Sequence, residues 1–299
     1  VEEGGGLSGR PGGVAAGDTL DSGAIEIVSS GATAENEVVS SGATLIVLDG
    51  GSATDIDNEG GTVVTSGMVI WSGTTLVSAV SGIASGVVLD STRTSATVQS
   101  GGAAKGTTVT DGAILTVASG AVAVSDVVTG LEDVQSGGGT DLTLLLAGSQ
   151  TVEGVASRTV VGLEGTQVVN SGGVAADTVV LAGGAVSVSG ALSGGQVRAG
   201  GLVTVQSGGV AVGDTISSGG IEIVSSGATV LSETVLSGGM LVVLEGGTVE
   251  GITGSVISSG EVFLDSNGNA VSATADALSG VTISGAVASG LILSGGGMI

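Results

Sequence analysis

The 299-residue chain contains no cysteine, no histidine and no tyrosine, and has a single proline, a single phenylalanine and a single tryptophan. Without cysteine there are no disulfides and no thiol chemistry. Without histidine as well, zinc sites of the usual kind and the commonest general base are gone. The scarcity of aromatics rules out a conventional core built on large rings. Positive charge is almost as scarce: Arg10, Arg93, Lys105, Arg158 and Arg198 stand scattered against 28 acids, leaving a formal charge of -23. No basic stripe can follow a phosphate backbone, so nucleic acid is excluded as a partner, and an anionic membrane surface would repel the chain. The longest apolar runs, such as Leu142 to Ala147 with Thr143 inside it, fall far short of a spanning helix, so this segment does not insert directly into a membrane.

What is present is glycine, 60 residues of it, together with valine, isoleucine, leucine and alanine. A mean hydropathy of +0.63 argues against a disordered Gly/Ser-rich chain, because disordered segments are poor in these apolar residues. So many glycines also argue against helix, at about 1 kcal/mol for each one placed in a helix interior. The composition suits thin, regular layers of small side chains. The chain begins at Val1 and shows no leader, so it reads as a processed product or an excerpt of a longer protein.

Internal repetition fixes the architecture. Residues Gly13 to Thr19 return in variant form at Gly209 to Thr215, and Ile25 to Thr33 return identically at Ile221 to Thr229, both at an offset of 196. Inside that offset lies a finer beat. Ser-Gly pairs start at Ser22, Ser30 and Ser41, and again at Ser207, Ser218, Ser226 and Ser237, so the gaps alternate between 8 and 11 and sum to 19. Between the marks lie short β-branched runs such as Thr44 to Leu48, Leu202 to Val205 and Leu241 to Leu244, which read as strands bounded by tight turns. In Ile25-Glu26-Ile27 the alternation places the two isoleucines on one side and Glu26 on the other.

A 19-residue unit cannot bury its own apolar face, so units must stack, pairing the strands of successive turns in parallel. The sequence therefore predicts an all-β, single-stranded parallel β-solenoid, or β-helix, of about fifteen rungs of 19 to 20 residues each. It is expected to run as one continuous repeat domain over residues 1–299, about 70 Å long at the usual strand spacing. The run Val281 to Leu293 keeps the pattern without a charge or proline to blunt it, so each end is expected to dock against more solenoid.

Units such as Gly208 to Gly220, and in variant form Gly101 to Gly112, resemble the roughly 19-residue repeats in passenger domains of self-associating autotransporter adhesins, the diffuse-adherence adhesin and antigen 43 group. The resemblance covers nearly all of the chain. It implies a β-helical passenger at the bacterial cell surface, extracellular, working by self-association or by adhesion to host-cell or glycan surfaces. In some members it also implies sugar on repeat serines, for which Ser29, Ser30, Ser40, Ser41, Ser225 and Ser226 are the matching positions. Serine beside a turn glycine explains each of them equally well. The amphipathic β-barrel translocator of such proteins is absent from the C-terminal stretch, where residues after Asp276 carry no charge and no aromatic girdle.

Other constellations are weighed against plainer readings. The densest acidic cluster, Asp49, Asp55, Asp57 and Glu59, has oxygen-rich spacing suited to calcium, with Asp55, Asp57 and Glu59 as the candidate ligands and a solvated acidic corner as the alternative. No other cofactor is expected. β-Solenoids also host polysaccharide-active enzymes, and two carboxylates at the right separation suffice for glycoside hydrolysis. Asp55 with Asp57, or Glu26 with Glu37, are the conceivable pairs. The lack of aromatic platforms and of cations along a groove argues against that class, and no catalytic residue is assigned. Trp71 suits a packed or capping position better than a sugar platform, and the string at Gly101, Gly102 and Gly106 is turn chemistry. The function expected is adhesion or autoaggregation through an extended repetitive surface. The alternative is a structural spacer or a head-to-tail filament subunit of a surface or biofilm matrix.

Overall fold

The computed structural model describes residues 6–9, 12–90, 94–254, 256–258, 261–264, 270–274 and 287–289, with side chains for 12–90 and 94–254. All regular structure among them is strand, wound as a parallel β-solenoid. Each turn has three faces. Face A carries four-residue strands such as Ile25–Val28 and Thr166–Val169, face B three-residue strands such as Thr33–Glu35 and Val174–Ala176, and face C strands of two or three residues such as Thr19–Leu20 and Val179–Val180.

Two of the three corners are the Ser-Gly marks. At Ser29-Ser30-Gly31-Ala32 the Ala32 N–H donates to the Ser29 carbonyl at 2.9 Å, closing a tight turn, and Gly31 takes φ 76. The corner also stays in the ladder, since the Gly31 N–H donates to Gly50 O one turn on, at 2.7 Å. The third corner, between faces B and C, is a single residue in the left-handed region, and glycine is not required there. Asn36 (φ 55), Asp55 (φ 55), Ser125 (φ 63), Leu142 (φ 61), Arg158 (φ 54) and Asp177 (φ 53) all occupy it. Asparagine and aspartate tolerate that conformation, whereas leucine is strained in it. Leu142 is 45% exposed, so Leu142→Asn gives up little burial and is expected to stabilise the chain by about 0.5–1 kcal/mol. A shift of the denaturation midpoint measures this; no gain would mean the corner carries no strain.

Inside, residues of successive turns stack in columns. The last residue of face A forms nine consecutive valines, Val98, Val117, Val134, Val152, Val169, Val188, Val205, Val224 and Val243, paired turn to turn and at most 1% exposed. Opposite them on face B stand mainly alanines, among them Ala104, Ala123, Ala156, Ala175 and Ala211. The bore is filled by aliphatic and small side chains, in keeping with the aromatic deficit. Each fully buried valine contributes about 1.5–3 kcal/mol of burial, and the column repeats it.

The ladders are not continuous. Among the described residues, three turns precede an antiparallel hairpin of Gly67–Ser72 and Thr75–Ser81, and nine follow it. The hairpin begins at Gly67, whose φ of 121 and 2.0 Å clearance between a hypothetical Cβ and Val80 O admit no side chain. Its first strand pairs antiparallel with Ser95–Gln99, the first face-A strand of the second block. Trp71 is half-buried there and packs, with Val69, Leu76 and Ala79, against Ile25, Ile27 and Ile46 of the first block. The Asp49 carboxylate accepts the Ser100 N–H at 3.1 and 3.3 Å, joining the two blocks. The described residues make about twelve turns, against the fifteen expected over all 299 residues, and the hairpin takes the place of less than one rung. The run 281–293 lies outside the described residues apart from Val287–Ser289, which pairs parallel with Thr248–Glu250.

Candidate functional site: an apolar outer face and an acidic interior

Outside the bore, the first position of face B forms a column of its own. Ile83, Ala103, Val122, Gly139, Val155, Val174, Ala191 and Val210 succeed one another turn by turn, without a charge. Ile83 is 66% exposed, Val155 47% and Val122 45%. Stacking in register sets these eight apolar positions one above another, so they become one stripe. Charge sits at its margin: Arg158, in a left-handed corner, pairs with Asp141 through Nε at 2.8 Å to Oδ1 and through a second, closer contact to Oδ2. That pair is largely exposed, and water screens it.

The sequence left open which side of the Ile25-Glu26-Ile27 alternation faces the interior. The alternation is present, but its sense is the reverse of an apolar-inward strand: Glu26 points into the bore, 1% exposed, while Ile25 and Ile27 face outward and are covered by the hairpin. Glu37, immediately before a face-C strand, is also fully buried. The candidate pair Glu26 and Glu37 is therefore brought together, with Asp18 beside it. Burial first, then the charges of Glu37 and Asp18, push the Glu26 carboxyl up to about 7. Sealed in the core, this pair has no opening for a polysaccharide.

Two further acidic groups were not singled out by sequence. Asp214, Glu222 and Glu233 are fully buried and repeat the spacing of Asp18, Glu26 and Glu37 at the 196-residue offset, which is the signal that could have found them. Asp126 and Glu132 are buried in a longer polar tract. There Glu132 Oε2 accepts from Thr143 Oγ1 at 3.1 Å and from Gln150 Nε2 at 2.6 Å, while Gln150 Oε1 accepts from Gln167 Nε2 at 2.7 Å and Thr159 Oγ1 at 3.3 Å. Thr178 Oγ1 closes the chain on Gln167 Oε1 at 3.2 Å, and Asp126 Oδ1 takes the Thr107 N–H at 2.7 Å. Burial pushes Asp126 up to about 6 and, joined by the Asp126 charge, Glu132 up to about 8.

The surface candidates lie elsewhere. Asp55 is a left-handed corner, and Asp57 and Glu59 belong to a face-C strand; all three are exposed. Among the described residues, the acids grouped at metal-ligand spacing are Asp214, Glu222 and Glu233. Of the turn serines, Ser30, Ser41 and Ser226 are exposed, while Ser29, Ser40 and Ser225 are half-buried beside them.

No protein-family model matches the sequence, and no curated protein matches it. Among solved structures, the crystal structure of a TibC-catalysed, hyper-glycosylated fragment of TibA, residues 55–350, is similar over 85% of this chain and 92% of the fragment, at 30% identity and a TM-score of 0.50. HetL, a pentapeptide-repeat protein of the cyanobacterium Nostoc, aligns over 85% of this chain and 89% of its own at 10% identity, but a TM-score of 0.18 bears no argument.

Proposed function

From the premise that this chain belongs to the β-helical passengers of autotransporter adhesins, we propose that it is a non-enzymatic adhesion and autoaggregation module displayed on the bacterial cell surface. The observation that carries this reading is the apolar stripe on face B. Two such stripes laid side by side remove valine and isoleucine side chains from water while the rung spacing keeps them in register. The stripe is about 35 Å long at the usual strand spacing and about 10 Å wide, or about 350 Å². A stable pair of proteins needs about 800 Å² from each partner, so a single contact is weak and association depends on many copies held on one surface. That is the regime of cell-to-cell clumping.

Cells displaying the chain test this directly. Val155→Glu with Val174→Glu adds charge at exposed positions and leaves the bore untouched. Like charges brought face to face then cost enough to slow settling of the cells by at least about tenfold at equal surface display. Unchanged settling would remove face B from the account.

The similar TibA fragment carries TibC-added sugar, and the same modification here falls on Ser30, Ser41 and Ser226. These stand at the outer tips of their turns. Their neighbours Ser29, Ser40 and Ser225 are half-buried at the strand ends, where a transferase reaches the hydroxyl poorly.

A further inference from the structure

We propose that Asp214, Glu222 and Glu233 form an interior site for a hard, oxygen-coordinated divalent cation of the calcium class. Their carboxylate oxygens lie within 4.8 Å of one another. That span is about twice the calcium–oxygen distance of 2.3–2.6 Å, so one ion can touch all three, and three carboxylates supply up to about six of its ligands. No nitrogen or sulfur ligand is present, which disfavours zinc and copper.

A second observation points to a ligand. Glu222 and Glu233 are 0% exposed, and neither Glu222 oxygen has a hydrogen-bond partner; Asp214 Oδ2 has none either. Asp214 Oδ1 accepts the Gly195 N–H at 2.6 Å, and the backbone N–H groups of Gly213 and Asp214 face the Glu233 carboxyl. At Glu132 the fold meets one of the two oxygens internally, Oε2 accepting from Thr143 and Gln150, while Oε1 has no partner. Around Glu222 the same column holds Val203 and Leu241, and the column of Asp214 holds Gly195. Buried acids left this way keep their protons or take an external positive partner, and three of them gathered at ligand distance are answered by one cation. At Gly195 a Cβ would come within 3.1 Å of the Asp214 carboxyl, so glycine leaves the space beside it clear.

The upstream trio Asp18, Glu26 and Glu37 shares the spacing but is not grouped at ligand distance, which makes it an internal control. The full chain, stripped with EDTA and dialysed against calcium at neutral pH, is expected to retain one calcium per chain by elemental analysis. Glu222→Gln with Glu233→Gln should lose it, and Glu26→Gln should keep it. Terbium bound to the wild type, read by luminescence decay in H₂O against D₂O, counts coordinated waters whether or not the double variant folds. An enclosed site gives none or one. Several waters would place the ion on exposed acids such as Asp55, Asp57 and Glu59, and would overturn the proposal. So would no stoichiometric calcium in the wild type, or calcium equally retained by a folded double variant.

Discussion

In the presence of a chelator, the chain is expected to be more stable at pH 5 than at pH 8, the opposite of a protein held by ionised carboxylates. Glu132 and Asp126 lie in the bore, and burial holds their folded-state values at about 8 and about 6, above those of the same groups in water. A group whose folded value is raised stabilises fully below its unfolded value, and that stability is lost as pH rises through the folded one. The window therefore opens near the ordinary carboxylate value and closes at about 8. Within it, each proton retained by the folded state costs about 1.4 kcal/mol for every pH unit climbed. Glu26, raised to about 7 with Glu37 and Asp18 facing it, adds in the same direction. Denaturation midpoints at pH 5, 6, 7 and 8 measure the slope. Glu132→Gln should flatten it and raise stability at pH 8, because an amide oxygen keeps the bonds from Thr143 and Gln150 and the amide NH₂ needs no proton from solvent. A stability that rises from pH 5 to pH 8 would mean these acids are not buried in the bore.

The second large effect is expected at Gln150. Its Nε2 donates to Glu132 Oε2 at 2.6 Å and to Thr140 Oγ1 at 3.1 Å, and its Oε1 accepts from Gln167 and Thr159, so all its bonding capacity is used at zero exposure. Gln150→Leu preserves the volume but orphans the Gln167 NH₂ and removes the short bond to Glu132. Because the penalty falls on the partners left behind, the expected loss is about 3–5 kcal/mol. Val186, the next residue but one in the same column, is the natural comparison, since Val186→Ala removes only apolar volume and should cost about 1–3 kcal/mol. Urea unfolding of the two variants decides the point: equal losses would mean that the polar tract contributes no more than packing.

Much of the architecture was legible because stacking forces repetition. The 8 and 11 alternation of Ser-Gly marks corresponds to two real corners, and the parallel ladders follow the 19-residue beat. The third corner was not legible, because one left-handed residue makes it and Asn36, Ser125, Leu142 and Arg158 share no side-chain chemistry. The inward turn of Glu26 was hidden for a different reason: Ile25 and Ile27 look like core residues, and they are covered, but by the Trp71 hairpin rather than by the bore. That hairpin breaks the ladder without breaking the composition, so the interruption was not visible in the repeat. Asp214, Glu222 and Glu233 were legible only as a repeat of Asp18, Glu26 and Glu37, since burial is what sets them apart from surface acids. The outer stripe on face B needed the register of eight turns to be seen as one surface.

The central claim is that these solenoids associate side by side through face B against the repulsion of a -23 charge. Sedimentation velocity of the purified chain from about 0.01 M to about 0.15 M salt tests it, because the Debye length falls over that range from about 30 Å to about 8 Å. The account predicts monomers at low salt, reversible and concentration-dependent association at the higher salt, and monomers throughout for Val155→Glu with Val174→Glu. Identical sedimentation of the wild type at both salts, or association that survives both substitutions, would contradict it.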